Sequence, residues 1–134
     1  MGERAERNER AIREVYAAFG TGDMPRVLAA LSPDVVWHVP EHHGRLSGDR
    51  KGPEEVLGLF GTMFELSEGT LRAEIIDVAA SDEFAAVYVH ATGSARGNIL
   101  DDTPVHLFRF DTDGIVVEAT QYPLNRDMQD AFWS

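Results

Sequence analysis

An α+β fold is predicted by three features of the sequence. Apolar residues at helical spacing fill the first half, β-branched and aromatic runs fill the second, and short turn-forming segments separate those runs. Helices followed by long strands cannot build a doubly wound parallel sheet, in which the two alternate. The expectation is a cone-shaped α+β barrel: three N-terminal helices packed on a strongly curved, mixed but mostly antiparallel sheet. Inward-pointing residues at its open end would line a cavity.

From Arg4 to Phe19 the residues Ile12, Val15, Tyr16 and Phe19 share one face, and charges occupy the others. Gly20, Thr21 and Gly22 end that helix. Asp23 caps a second, with Pro25 in its first turn and Val27, Leu28 and Leu31 facing inward. Ser32 and Pro33 stop it, and residues 34–39 form a short strand closed by Pro40. The glycine-rich stretch from Glu41 to Gly52 reads as a loop over the cavity mouth. Pro53, Glu54 and Glu55 then start a third helix, whose stripe Val56, Leu57, Phe60, Met63 and Phe64 makes it a lid.

Four strands follow, over residues 71–79, 84–94, 105–111 and 115–122. Ser81-Asp82-Glu83 and Asp111-Thr112-Asp113-Gly114 suit hairpins, and Arg96-Gly97-Asn98 suits a wider turn, so the strands should run as an antiparallel meander. With 134 residues, 43% of them hydrophobic, the chain reads as one folded domain over 1–134.

Charge narrows the partners. Twenty-three acidic residues against 12 basic ones leave a net charge of -11, which repels nucleic acid and anionic lipid. The absence of cysteine excludes disulfides, thiolate metal sites and a cysteine nucleophile. The charged opening MGERAERNER lacks the apolar core of a signal peptide and no apolar run reaches membrane-spanning length, so a cytoplasmic location is expected.

Three segments carry a resemblance. Ala17-Ala18-Phe19-Gly20-Thr21-Gly22-Asp23, then residues 31–40 ending Val36-Trp37-His38-Val39-Pro40, then His106-Leu107-Phe108-Arg109-Phe110-Asp111 with Gly114 and Glu118 are similar to the nuclear transport factor 2-like superfamily. The ending, with Glu118-Ala119, Tyr122-Pro123 and Asp130-Ala131-Phe132-Trp133, resembles its SnoaL-like, ketosteroid-isomerase-like members. That superfamily contains isomerases, cyclases, epoxide hydrolases, dehydratases and non-catalytic binding modules, so activity must be argued from the site. The resemblance places the isomerase base at Val39 and its helix tyrosine at Val15, one residue from Tyr16, so a steroid-isomerase mechanism does not carry over. Epoxide-hydrolase carboxylates are likewise replaced, since His106 and Gln121 stand where acids are wanted. The third isomerase position falls on His106, which strand alternation turns inward with Phe108 and Phe110.

The expected catalytic set is therefore His106 as acid or base, helped by Gln121 or Tyr16 as hydrogen-bond donor. Val15, Phe19, Trp37, His38, Val39, Phe60, Met63, Phe64, His90, Phe108 and Ala119 are the expected ligand-binding residues. His90 shares a face with Tyr88 and Thr92 that is either cavity wall or convex surface, and Trp37 and His38 point oppositely unless a bulge re-aims one. His38, His42 and His43, beside Glu41, are of metal-ligating type, yet Pro40 interrupts them and the loop fixes no geometry, so no metal is expected. Arg109 and Glu118 should pair across strands on the outer face, and Asp101, Asp102 and Asp127 read as solvated loop charges. No cofactor is needed. Two readings stand: an isomerase, cyclase or hydratase acting on a small apolar molecule, or a non-catalytic binding module that dimerises through the outer sheet face with residues such as Val87, Val89, Leu107 and Val117.

Overall fold

The computed structural model describes residues 2–134. Helix α1 (Glu3–Thr21) buries Ala5, Asn8, Ile12 and Ala18, and Gly22 ends it in the left-handed region at φ 77°. Asp23 accepts a 3.3 Å bond from the Arg26 amide and opens α2 (Met24–Ala29), with Pro25 in the first turn. Strand β1 (Leu31–Val39) follows, with Leu31, Val35, Trp37 and Val39 turned inward. After a single 3₁₀ turn (Gly44–Leu46) comes β2 (Gly48–Lys51) and then α3 (Gly52–Leu66), whose Glu55 carboxylate accepts from the Lys51 amide at 2.9 Å.

The second half supplies β3 (Arg72–Ala80), β4 (Phe84–Ala95), β5 (Asn98–Asp102), β6 (Val105–Phe110) and β7 (Val116–Tyr122), then α4 (Arg126–Phe132). The strand order is β2-β1-β7-β6-β4-β3, with β5 added to β4. All pairings are antiparallel except β1 with β7, where Trp37 lies beside Ala119 and His38 beside Thr120. The fold is thus α+β with a mixed, mostly antiparallel sheet, and bulges in β1, β3 and at the β6–β7 pairing add to its bending.

Several expectations need correction. Residues 41–52 are not all loop, because 48–51 pair with β1. The segment Arg96-Gly97 is a tight hairpin at φ 52° and 77°, folding β5 back on β4 before β6 begins. A fourth helix, α4, was not anticipated. On α3 the buried stripe is Val56, Leu59, Phe60, Met63 and Leu66, whereas Leu57 and Phe64 face outward, Phe64 at 71% exposure. Val87 and Val89 are fully buried on the concave face of β4 and so cannot serve an outer interface.

The last helix is tied down at both ends. Asp102, far from being a solvated loop charge, is buried and accepts from the Asn125 amide at 3.0 Å and the Gln129 side chain at 2.9 Å. Gln129 in turn accepts from Trp133 Nε1 at 2.9 Å. Phe132 is fully buried, and the Arg96 guanidinium donates to the carbonyls of Leu66, Phe132 and Ser134. The 3₁₀ turn docks on the same helix, since Gly44 N–H donates to Asp130 at 2.7 Å and Arg45 N–H to the Trp133 carbonyl at 2.8 Å.

Candidate functional site

Curvature of the sheet against α1, α3 and α4 leaves a cavity of about 80 Å³, room for several waters in its resting shape. Its walls are apolar and aromatic. Trp37 meets Phe60 edge-on at 5.2 Å and Phe108 at 5.8 Å, and Phe19 meets Phe60 at 5.3 Å, so four rings lock one another in place. None of the lining residues is Asp, Glu, Lys or Arg.

Polarity enters at a few points. Strand alternation carries His106 of β6 and Gln121 of β7 inward side by side, in register across the sheet. Tyr16, from the buried face of α1, reaches His106 with its hydroxyl 2.5 Å from Nδ1, and its ring lies edge-on to Phe108 at 6.1 Å. Neither His106 Nε2 nor the Gln121 amide has a hydrogen-bond partner among the described residues, and both residues line the cavity. Burial holds the His106 imidazole down to about 4, with the charge His43 would carry adding to the effect, and burial drives the Tyr16 phenol well above its ordinary value. At neutral pH both groups are uncharged.

Another part of the wall is one the sequence did not suggest. His43, Leu46, Gln129 and Trp133 line it, brought together by the docking of the 3₁₀ turn on α4. His43 is 3% exposed, and its Nδ1 is buried without a partner among the described residues; its backbone amide donates to Ser47 at 2.9 Å. Burial lowers its proton affinity against the pull of Asp102 and Asp130 and of a side-chain hydrogen bond to Gln129. Trp37 Nε1 is also buried without a partner among the described residues.

Of the expected site residues, Tyr16, His106 and Gln121 line the cavity together with Val15, Phe19, Trp37, Phe60, Met63 and Phe108. Five do not. Val39 and Ala119 are buried in the core away from it, and Phe64 is on the solvent side of α3. His90 falls on the convex face because Val87, Val89 and Ala91 take the concave one, and it bonds Asp101 at 2.8 Å. His38 also points outward, opposite Trp37. Its Nδ1 lies 2.8 Å from Asp49 and its Nε2 2.7 Å from Glu118, which also pairs with Arg109 at 3.3 Å. The Asp49 bond leads the groups that hold the His38 imidazole above its usual value, and the His38 bond leads those that lower the Glu118 carboxyl. His38 on the outer face, exposed His42 and buried His43 therefore do not converge among the described residues.

A curved mixed sheet closed on helices around an apolar cavity defines the class. The SnoaL-like domain family matches residues 12–119, and the chain belongs to that family. The structure of Bal32a, from a soil-derived mobile gene cassette, superposes with a TM-score of 0.93 at 29% identity, over 98% of this chain and 100% of that one. A Xanthomonas campestris protein of unknown function with a cystatin-like fold gives 0.87 at 31% identity, over 95% and 98%. An uncharacterised protein of Mycobacterium tuberculosis H37Rv is 24% identical over 124 residues, 92% of this chain and 93% of its own. No helix among the described residues is long and apolar enough to cross a membrane.

Proposed function

We propose that this chain is a cofactor-independent acid–base enzyme acting on an uncharged, apolar carbonyl compound by isomerisation, cyclisation or hydration. His106 engages the carbonyl oxygen. The observation that carries this reading is the Tyr16–His106 pair, with a 2.5 Å bond at Nδ1 and a free Nε2 beside Gln121 on an otherwise apolar wall. A neutral imidazole in a dry site polarises a carbonyl without needing to be charged, and preorganised donors there are worth more than in water. The lack of any charged lining residue favours an uncharged substrate, since an isolated ion would be left unpaired.

The test is a panel of apolar ketones and enones, assayed for binding and turnover by the wild type and His106→Ala. Turnover that falls at least about a hundredfold in the variant is the expected result. Turnover undiminished in the variant removes His106 from the chemistry.

A second reading is a binding module that works as a homodimer. It is favoured by a row on the convex sheet face, where Tyr88, Val105 and Tyr122 stand in register on β4, β6 and β7, at 42%, 37% and 50% exposure. A monomeric mass by light scattering at working concentration sinks the dimer.

A further inference from the structure

On the outer sheet face, away from the cavity, one histidine lies between two carboxylates. His38 of β1 has Nδ1 2.8 Å from Asp49 of β2 and Nε2 2.7 Å from Glu118 of β7, so a single ring spans three strands. A ring can donate to both acceptors only as the imidazolium. Lys51 stands one pair along on β2, Arg109 of β6 reaches Glu118 at 3.3 Å, and Glu41 and His42 follow in the exposed loop. Helices α2 and α3 meet β1 from the other face, with Val27 and Phe60 on the cavity side. Asp49 and Glu118 are the groups that bear on the charge of the ring.

Strand β2 is an edge of the sheet, paired with β1 alone, and none of its four residues is a buried apolar one. What joins it to the rest of the sheet is its ladder with β1 and the Asp49–His38 bond. Arg50 Nη1 donates to the carbonyls of Leu46, Ser47 and Gly48, which couples the 3₁₀ turn to the strand. When His38 loses its charge the ring keeps one N–H, and one of the two carboxylates then faces a lone pair. Glu118 lies in the middle of the sheet and keeps Arg109. Asp49 is half exposed and has no other side-chain partner among the described residues, so Asp49 is the one that turns to water.

We propose that β2 and the 3₁₀ turn form a pH-operated strap, closed when protonated His38 bridges Asp49 and Glu118 and loosened when the ring is neutral. The Asp49 bond leads the groups that hold the imidazole above 6.5, against a smaller loss from partial burial. A raised value means that the bridge is whole at lower pH and is lost as pH rises through it. Buried His43 is held below 6.5, so it is already neutral there and takes no part in the change. The turn carries His43 and Leu46 of the cavity wall, so loosening the strap lets solvent reach that wall.

The experiment uses the full chain. Proton NMR of the ring locates the His38 titration, and amide hydrogen exchange is read on either side of it, divided at each pH by the rate for an unstructured peptide. Above the titration the amides of Gly48–Lys51, Gly44 and Arg45 should lose about threefold in protection, while those of β4 hold steady. His38→Gln should remove the step and show the lower protection throughout. Asp49→Asn should remove it too and bring the His38 titration down. His42→Gln and His90→Gln should leave the step in place. Nitrogen-15 shifts of neutral His38 should show the Nε2–H tautomer, the one that keeps Glu118. Equal protection on both sides in the wild type, or a step that survives His38→Gln, overturns the strap. A neutral ring with its proton on Nδ1 overturns the release of Asp49.

Discussion

The hydroxyl of Tyr16 makes one hydrogen bond among the described residues, to His106 Nδ1, and that bond sets which ring nitrogen faces the cavity. Tyr16→Phe should leave Nδ1 without its partner and cost about 1–3 kcal/mol in urea unfolding. Nitrogen-15 NMR should find the Nε2–H tautomer in the wild type and a mixture in the variant. A wild-type proton on Nδ1 would reverse the roles given to the ring. The inward turn of His106 was legible because Phe108 and Phe110, two and four residues on, are hydrophobic and a strand alternates. Tyr16 was legible from helical spacing with Ile12 and Phe19. His43 was not. Three histidines lie within residues 38–43, and which of them turns inward depends on Gly44 at φ 57° and on contacts with residues 86 and more positions away.

Helix α3 shows why a stripe can be placed one step off. Val56, Phe60 and Met63 fit two overlapping faces, one completed by Leu57 and Phe64 and the other by Leu59 and Leu66. Only tertiary packing chose the second. Strands β2 and β5 escaped notice because each is short and polar, GDRK and NILDD, and owes its conformation to a partner rather than to its own residues. Helix α4 has seven residues, too few to show a period, and is held by its contacts. Gly44 is the tightest of these contacts: a Cβ there would run into the Trp133 carbonyl. Gly44→Ala should therefore cost about 3 kcal/mol or more, through strain and a forced separation. Amide exchange in α4 should quicken more than in β4, and uniform acceleration would show that the docking is not local.

The molecule carries opposed titrations on its two sheet faces. Inside, His106 binds its proton near 4 when folded and near 6.5 when unfolded, so the unfolded state takes up the proton first as pH falls. Stability should drop between about 6.5 and 4, by up to about 3 kcal/mol, and buried His43 adds a loss of the same sign. Outside, His38 is held above 6.5 by Asp49 and Glu118, so its contribution is whole below that value and fades as pH rises through the raised one. Scanning calorimetry across pH should show His106→Asn flattening the acid limb and His38→Gln the alkaline one; an acid limb unchanged in His106→Asn would mean the ring is hydrated in the fold. The parallel contact of β1 with β7 has a consequence in time. Leu31 must find Val116 across most of the chain, a slow loop closure compared with zipping the β3–β4 hairpin. Trp37 rides on β1, so its ring closes against Phe108 of β6 only at that late step, and until then one side of it would offer chaperones a grip.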